Sequence, residues 1–261
     1  THFYISPQIW AWKENRIKAI KHDIDKMYVI LPFEKDFYEK KHSFPVEFVG
    51  HPLIDAISER IQVDEKEFRI KNNLNSKPII ALLPGSRKQE IKKMLSIMLS
   101  VIDDYPYYQF VIAGAPSQDF SFYKSFIKSS KVGFVDNKTH DLLSVSYAAV
   151  VTSGTATLET ALFKIPEVVC YKGSWFSYQI GKRLVNLDYI SLVNLIMNKE
   201  VVTELIQNEF NTKTLKKELD KLLDPNGRTR YFLNYFELEK KLGGKGASNK
   251  TAQLIVNSIK S

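Results

Sequence analysis

The stretch Pro78-Ile79-Ile80-Ala81-Leu82-Leu83-Pro84-Gly85-Ser86-Arg87 decides the fold. An apolar run too short for a helix ends in a Pro-Gly-Ser turn, the pattern of a strand buried on both faces that feeds a loop. Ile91, Met94, Leu95, Met98, Leu99 and Ile102 follow at helical spacing. Further short apolar runs predict strands at Gln109–Gly114, Val132–Val135, Ala148–Val151 and Glu167–Tyr171, with a helix over Thr155–Phe163. Such alternation predicts an α/β fold, a Rossmann-like parallel sheet with right-handed crossovers and helices on both faces.

Upstream the same idiom is shorter. Strands at 2–5, 27–31 and 46–49 and helices near 13–22 and 33–41 read as the tail of another α/β domain, with its boundary at Gly50-His51-Pro52. The chain opens on Thr1 inside a predicted strand, without a secretory leader, and a preceding segment is expected. From 200 to 261 the sequence reads as helical and charged, with Lys213–Leu223 amphipathic and Gly243-Gly244-Lys245-Gly246 as a break before a last helix at 248–260. No solenoid repeat or low-complexity tract interrupts it.

Composition narrows the function classes. With 261 residues, 44% hydrophobic and 25% charged, the chain has the make-up of a globular protein rather than a disordered one. No apolar run is long enough to span a bilayer. Cys170 is the sole cysteine, which excludes an internal disulfide framework. The net charge of +8 suits nucleic acid, anionic lipid or phosphorylated small molecules alike.

Two turns carry the strongest chemical signal. After the strand 78–83, Gly85 permits close backbone approach, Ser86 is placed to cap the next helix, and Arg87 offers a fork of donors matched to phosphate. The alternative is a capped helix with a solvated Arg. Thr152-Ser153-Gly154-Thr155-Ala156-Thr157-Leu158-Glu159 again ends a strand and opens a helix, gathering backbone N–H groups for a diphosphate, with Glu159 one turn further on for a ribose diol. An ordinary acidic helix start explains Glu159 equally well. The Gly-Lys-Ser/Thr of a Walker loop is absent, as is a Gly-x-Ser-x-Gly elbow. Asn194, in the apolar run Tyr189–Ile196, must satisfy its amide from backbone or from a ligand. His2, His22, His42, His51 and His140 are scattered, and no metal site is expected. His51 is read either as a ligand contact or as a structural hydrogen bond in a tight turn. Aromatic-basic stretches at Ile9–Lys13 and Lys172–Arg183 fit a membrane surface, and some of their rings must be core. No nucleic-acid-binding signature accompanies them.

The strings Tyr4–Trp12, Leu31-Pro32-Phe33-Glu34, Phe48–Pro52, Leu82–Arg87, Ser153–Glu159 and Tyr189–Asn194 resemble bacterial lipid-A-disaccharide synthase, in that family's order. Ser-Pro-x-x-Trp-Ala-Trp and Pro-Gly-Ser-Arg are specific to it, whereas Gly-Thr-x-x-x-Glu is shared with other GT-B glycosyltransferases. The resemblance implies a GT-B fold: residues 1–50 as the remainder of an acceptor domain, 51–242 as a UDP-sugar donor domain, and 243–261 as a helix packing back on the first. It implies a metal-independent, cofactor-free, inverting transfer from UDP-2,3-diacylglucosamine to 2,3-diacylglucosamine 1-phosphate at the cytoplasmic face of the inner membrane. Gly85, Ser86, Arg87, Gly154, Thr155, Ala156, Glu159 and Asn194 would hold the donor. The family's general base is expected upstream of this chain, so weak UDP binding, negligible transfer and self-association are expected of the chain alone. The alternatives are another GT-B UDP-sugar enzyme, such as the peptidoglycan N-acetylglucosaminyltransferase or a UDP-N-acetylglucosamine 2-epimerase, or a non-catalytic UDP-binding fragment. A nucleic-acid binder is a distant further reading.

Overall fold

Ile79, Ile80, Ala81 and Leu82 are fully buried in the computed structural model, which describes residues 1–173 and 188–260. Burial of each large side chain among them stabilises by about 1.5–3 kcal/mol. These residues form β4 (Ile79–Leu83) in a six-stranded parallel sheet with β5 (Gln109–Gly114), β6 (Val132–Asp136), β7 (Ser146–Thr152), β8 (Glu167–Tyr171) and β9 (Thr203–Ile206), ordered β6-β5-β4-β7-β8-β9. Around it lie helices α4 (Glu65–Lys71), α5 (Lys88–Leu99), α6 (Phe120–Lys124), α7 (Thr139–Ser144), α8 (Thr155–Leu162), α9 (Leu192–Met197) and α10 (Thr212–Leu223). Of the described residues, 61–173 and 189–235 make one compact unit.

Of the described residues, a second unit holds 1–60, Asp188 and 236–260. Its parallel sheet runs β1 (His2–Tyr4), β2 (Lys26–Val29), β3 (Glu47–Phe48), over a core of Ile9, Ile17, Ile20, Met27, Val29, Tyr38, Phe44 and Val46. Helices α1 (Ile17–Asp23), α2 (Pro32–Asp36), α3 (Pro52–Ser58) and α12 (Ala247–Lys260) belong to it, and the chain re-enters it within α11 (Arg228–Lys241).

One expectation needs correction. Residues 200–261 are not wholly helical, because Thr203–Ile206 adds to the sheet edge in register with Val168–Tyr171. Its Val201-Val202-Thr203 start is β-branched, which suits a pleated surface. The helix expected near 33–41 is there, α over Pro32–Asp36 and π over Phe37–Lys41. By its contacts the N-terminal unit runs on to Arg60. The reason is Asp55 on α3, which accepts the N–H groups of Gly246 (2.6 Å) and Ser248 (2.9 Å) and so binds the start of α12. Burial pushes the Asp55 carboxyl up, but those two donors together with the Ser248 side chain and the Lys245 charge hold it below its ordinary range.

The family-specific strings of the first unit meet at Glu34, which is 1% exposed. One carboxylate oxygen accepts from Ser6 Oγ (2.6 Å) and Trp10 Nε1 (3.1 Å), the other from the N–H groups of Ile30 (3.2 Å) and Leu31 (2.9 Å). Trp10 also packs edge-on against Phe33, so the ring has a structural role. Trp12 is half exposed, with Lys13 Nζ 4.4 Å from its ring centre. Most of the second aromatic-basic stretch lies outside the described residues.

Glu34→Gln is expected to destabilise the protein by about 1–3 kcal/mol, since an amide has one acceptor oxygen for four donors. An unchanged thermal midpoint would contradict the four-donor account. His51 takes the structural role: its Nδ1 accepts the Leu53 N–H at 3.2 Å, and burial lowers the ring pKa to about 4. The folded state therefore resists protonation. Its His51-dependent stability is expected intact above about pH 6.5 and lost as pH falls toward 4. Urea midpoints across that range should lose this dependence in His51→Asn.

Candidate functional site

β4 and β7 lie side by side, with Leu83 opposite Val151, yet the chain leaves them in opposite directions. From β4 it passes through α5 to β5 on one flank, and from β7 through α8 to β8 on the other. Beyond the carboxyl ends of such a diverging pair a crevice opens, the usual ligand position in a parallel sheet. Both predicted turns are there, so Gly85, Ser86 and Arg87 are brought together with Gly154, Thr155 and Ala156.

Gly85 has φ +99°, and a Cβ on it would stand 3.1 Å from Glu90 Oε2 and 3.5 Å from Thr152 Cγ2. Ser86 does not cap the helix as expected. Arg87 occupies the N-cap of α5 without a side-chain capping bond, and the Ser86 carbonyl instead accepts from Ser117 Oγ (2.9 Å) and Gln118 Nε2 (3.4 Å). Arg87 has an 83% exposed side chain, with Nη1 3.2 Å from Glu90 Oε1. At the second turn Gly154 is the N-cap of α8, again without a side-chain bond, and nothing lies within 4 Å of where its Cβ would be. Two helix starts thus present first-turn N–H groups that no side chain caps, a favourable place for an anion.

Glu159 is on α8 with a 24% exposed side chain, and one oxygen is 3.7 Å from His140 Nε2 on α7. Sequence reading set His140 aside; its ring also approaches Phe163 at 5.4 Å. Among the described residues no cluster of His, Cys, Asp or Glu could hold a metal ion, and no helix is long and apolar enough to cross a membrane.

Asn194 is the exception among the expected site residues. It is fully buried on α9, and its amide is spent inside the protein. Nδ2 donates to Val202 O (2.8 Å) and Glu204 Oε1 (2.9 Å), while Oδ1 accepts from the N–H groups of Val201 (2.8 Å) and Val202 (3.0 Å). Glu204 adds bonds from the Ile190 and Ser191 N–H groups, both at 2.9 Å. Of the two roles open to Asn194, the backbone role holds: it clasps the entry of α9 to β9. Glu204 escaped sequence reading because its segment read as helix.

Two units each built on a parallel sheet, with this crevice at the strand ends of one, have the GT-B class of fold. The family described as lipid-A-disaccharide synthetase matches residues 1–257. The chain is 37% identical over 268 residues to the lipid-A-disaccharide synthase of Syntrophus aciditrophicus (strain SB), covering 99% of this chain and 69% of that protein. It is 38% identical over 247 residues to the lipid-A-disaccharide synthase of Francisella tularensis subsp. novicida (strain U112), covering 91% and 64%. The chain therefore spans about two thirds of the length of these curated relatives. A solved structure, the Staphylococcus aureus MnaA–UDP co-structure, superposes at a TM-score of 0.61 with 14% identity, covering 93% of this chain and 62% of that one. It shares the fold. The chain belongs to the lipid-A-disaccharide synthase family.

Asn194→Ala is expected to cost at least about 2 kcal/mol of unfolding free energy, because several buried partners lose their bonds at once. A clasp, unlike a ligand contact, leaves nucleotide affinity of the folded fraction unaltered. Urea unfolding beside nucleotide titration tells the two apart.

Proposed function

We propose that this chain supplies the UDP-sugar site of a glycosyltransferase that joins UDP-2,3-diacylglucosamine to 2,3-diacylglucosamine 1-phosphate. Family membership supports the reaction, and one observation carries the assignment to this chain: two uncapped helix starts converge at the β4/β7 divergence. The donor diphosphate lies across them, taking N–H groups of Thr155 and Ala156 beside the Gly154 turn and the backbone opened by Gly85. Arg87 exchanges Glu90 for a phosphate oxygen, and Glu159 accepts the ribose hydroxyls.

In the transfer, an acceptor hydroxyl attacks the anomeric carbon from the face opposite UDP. The carbon–oxygen bond to the diphosphate breaks, UDP keeps the bonding electrons, and the hydroxyl proton passes to a base. Negative charge grows on the leaving diphosphate, where Arg87 and the two helix starts stabilise it more in the transition state than in the bound donor. The diacyl substrates place the enzyme at a lipid surface, and the net charge of +8 favours an anionic one, read here as the cytoplasmic face of the inner membrane.

Calorimetry with UDP tests the nucleotide site. Arg87→Ala is expected to weaken binding about tenfold, the worth of one charge-assisted hydrogen bond. Glu159→Ala should do the same for UDP and lose the preference for UDP over 2′-deoxy-UDP. A folded chain that ignores UDP, or variants that bind it like the wild type, would sink the assignment.

A further inference from the structure

The Ser86 carbonyl is turned onto the loop that follows β5, where Ser117 Oγ (2.9 Å) and Gln118 Nε2 (3.4 Å) both donate to it. Gln118 Nε2 also donates to Ser117 Oγ at 3.2 Å, which closes the three groups into a triangle. The amide keeps this orientation although its own Oε1 is buried without a partner, because the flipped amide would set oxygen against the Ser86 oxygen. The loop itself is braced. The Ala115 N–H donates to the hydroxyl of Tyr123 (3.0 Å), a fully buried ring on α6, and the Gln118 N–H closes a turn onto the Ala115 carbonyl (3.0 Å).

A peptide is planar, and among the described residues none is cis, so the C=O of Ser86 and the N–H of Arg87 point in opposite directions. Strand β4 has β5 on one side and β7 on the other. With its carbonyl held toward the β5 loop, this peptide turns its N–H to the β7 side, where Gly154 starts α8. Among the described residues nothing accepts the Arg87 N–H. We propose that Ser117 and Gln118 are positioning residues, which fix the Ser86–Arg87 peptide so that its N–H serves the diphosphate beside those of Thr155 and Ala156. The inference rests on the UDP reading above and adds to it two side chains and one backbone donor. Such holding matters because Gly85 leaves the turn conformationally loose. A peptide free to rotate would offer a diphosphate its carbonyl oxygen as well as its N–H. Two bonds to that oxygen remove the repulsive orientation before the ligand arrives, which is how a fixed dipole stabilises charge on a leaving group.

The test follows the Arg87 amide in ¹H–¹⁵N spectra of this chain as UDP is added, with calorimetry alongside. In the wild type that amide proton should move downfield on binding. In Ser117→Ala/Gln118→Ala the movement should shrink and UDP affinity should fall about three- to tenfold. Ser117→Thr keeps the hydroxyl and should respond like the wild type. Gln118→Glu has the same shape without the N–H donors and should lose at least as much affinity as Gln118→Ala. The preference for UDP over 2′-deoxy-UDP belongs to Glu159 and should be unchanged in every variant. Ser117 is exposed, so Ser117→Ala gives the same readings in a folded chain even where the double variant does not fold. An Arg87 amide indifferent to UDP in a chain that binds it, or folded variants with wild-type affinity and shift, would overturn the positioning role and leave the nucleotide site standing. Loss of the 2′-deoxy preference together with affinity marks a general structural role and overturns it as well. A folded chain that ignores UDP removes both the inference and the reading beneath it.

Discussion

The site depends on the pairing of β4 with β7, two strands buried where Ile80, Ala81 and Leu82 face Ala148, Ala149 and Val150, and whose continuations part. Parallel strands cannot be joined by a tight turn, so each must hand its chain to a crossover helix. Where neighbouring crossovers go to opposite flanks, nothing in the chain fills the space above the shared strand ends. The crevice is therefore a consequence of connectivity. Local sequence then equips it: Gly85 keeps side-chain bulk out of the first turn, and Gly154 leaves the second open.

Three carboxylates hold the loops around these sheets by one device. Glu34 takes the N–H groups of Ile30 and Leu31, Asp55 those of Gly246 and Ser248, and Glu204 those of Ile190 and Ser191. Each thereby satisfies paired backbone donors at a turn or helix start, which would otherwise be costly to withdraw from water. Glu167 shows the opposite case. Both its oxygens are buried without a partner, and burial pushes its carboxyl well above the usual range. Backbone N–H groups oppose the effect of burial on a carboxyl: at Glu34 burial still wins and raises the pKa, and at Asp55 the donors and the Lys245 charge win and lower it.

The sequence made some of this legible and hid the rest for physical reasons. β5 and β8 have the bounds their apolar runs suggest, because a strand buried on both faces leaves a continuous signal that needs no knowledge of its neighbours. The two turns were visible for the same local reason. β9 was not, since its four residues become a strand only by pairing with β8, more than thirty residues earlier. The clasps were hidden too: Glu34 meets Ser6 across 28 positions, and Glu204 meets Ile190 across 14. His140 and Glu159 look unrelated until α7 and α8 bring them together. Asn194 carried a true signal, a polar side chain that had to be satisfied, but the signal did not say by what.

That contrast explains how a rigid fold keeps a responsive site. The charges proposed to meet UDP are in exposed or partly exposed pairs, Arg87 with Glu90 and Glu159 with His140. Such pairs contribute only about 0–1 kcal/mol each, so a ligand that displaces one partner gives up little. A buried pair would be different, because removing one partner strands the other charge in a low dielectric. The carboxylates that must not move are instead buried or wrapped in backbone donors, where each lost bond is expensive. Shape and responsiveness are thus carried by chemically similar side chains, separated by solvent exposure: what water can reach is free to change partners, and what backbone N–H groups enclose is not.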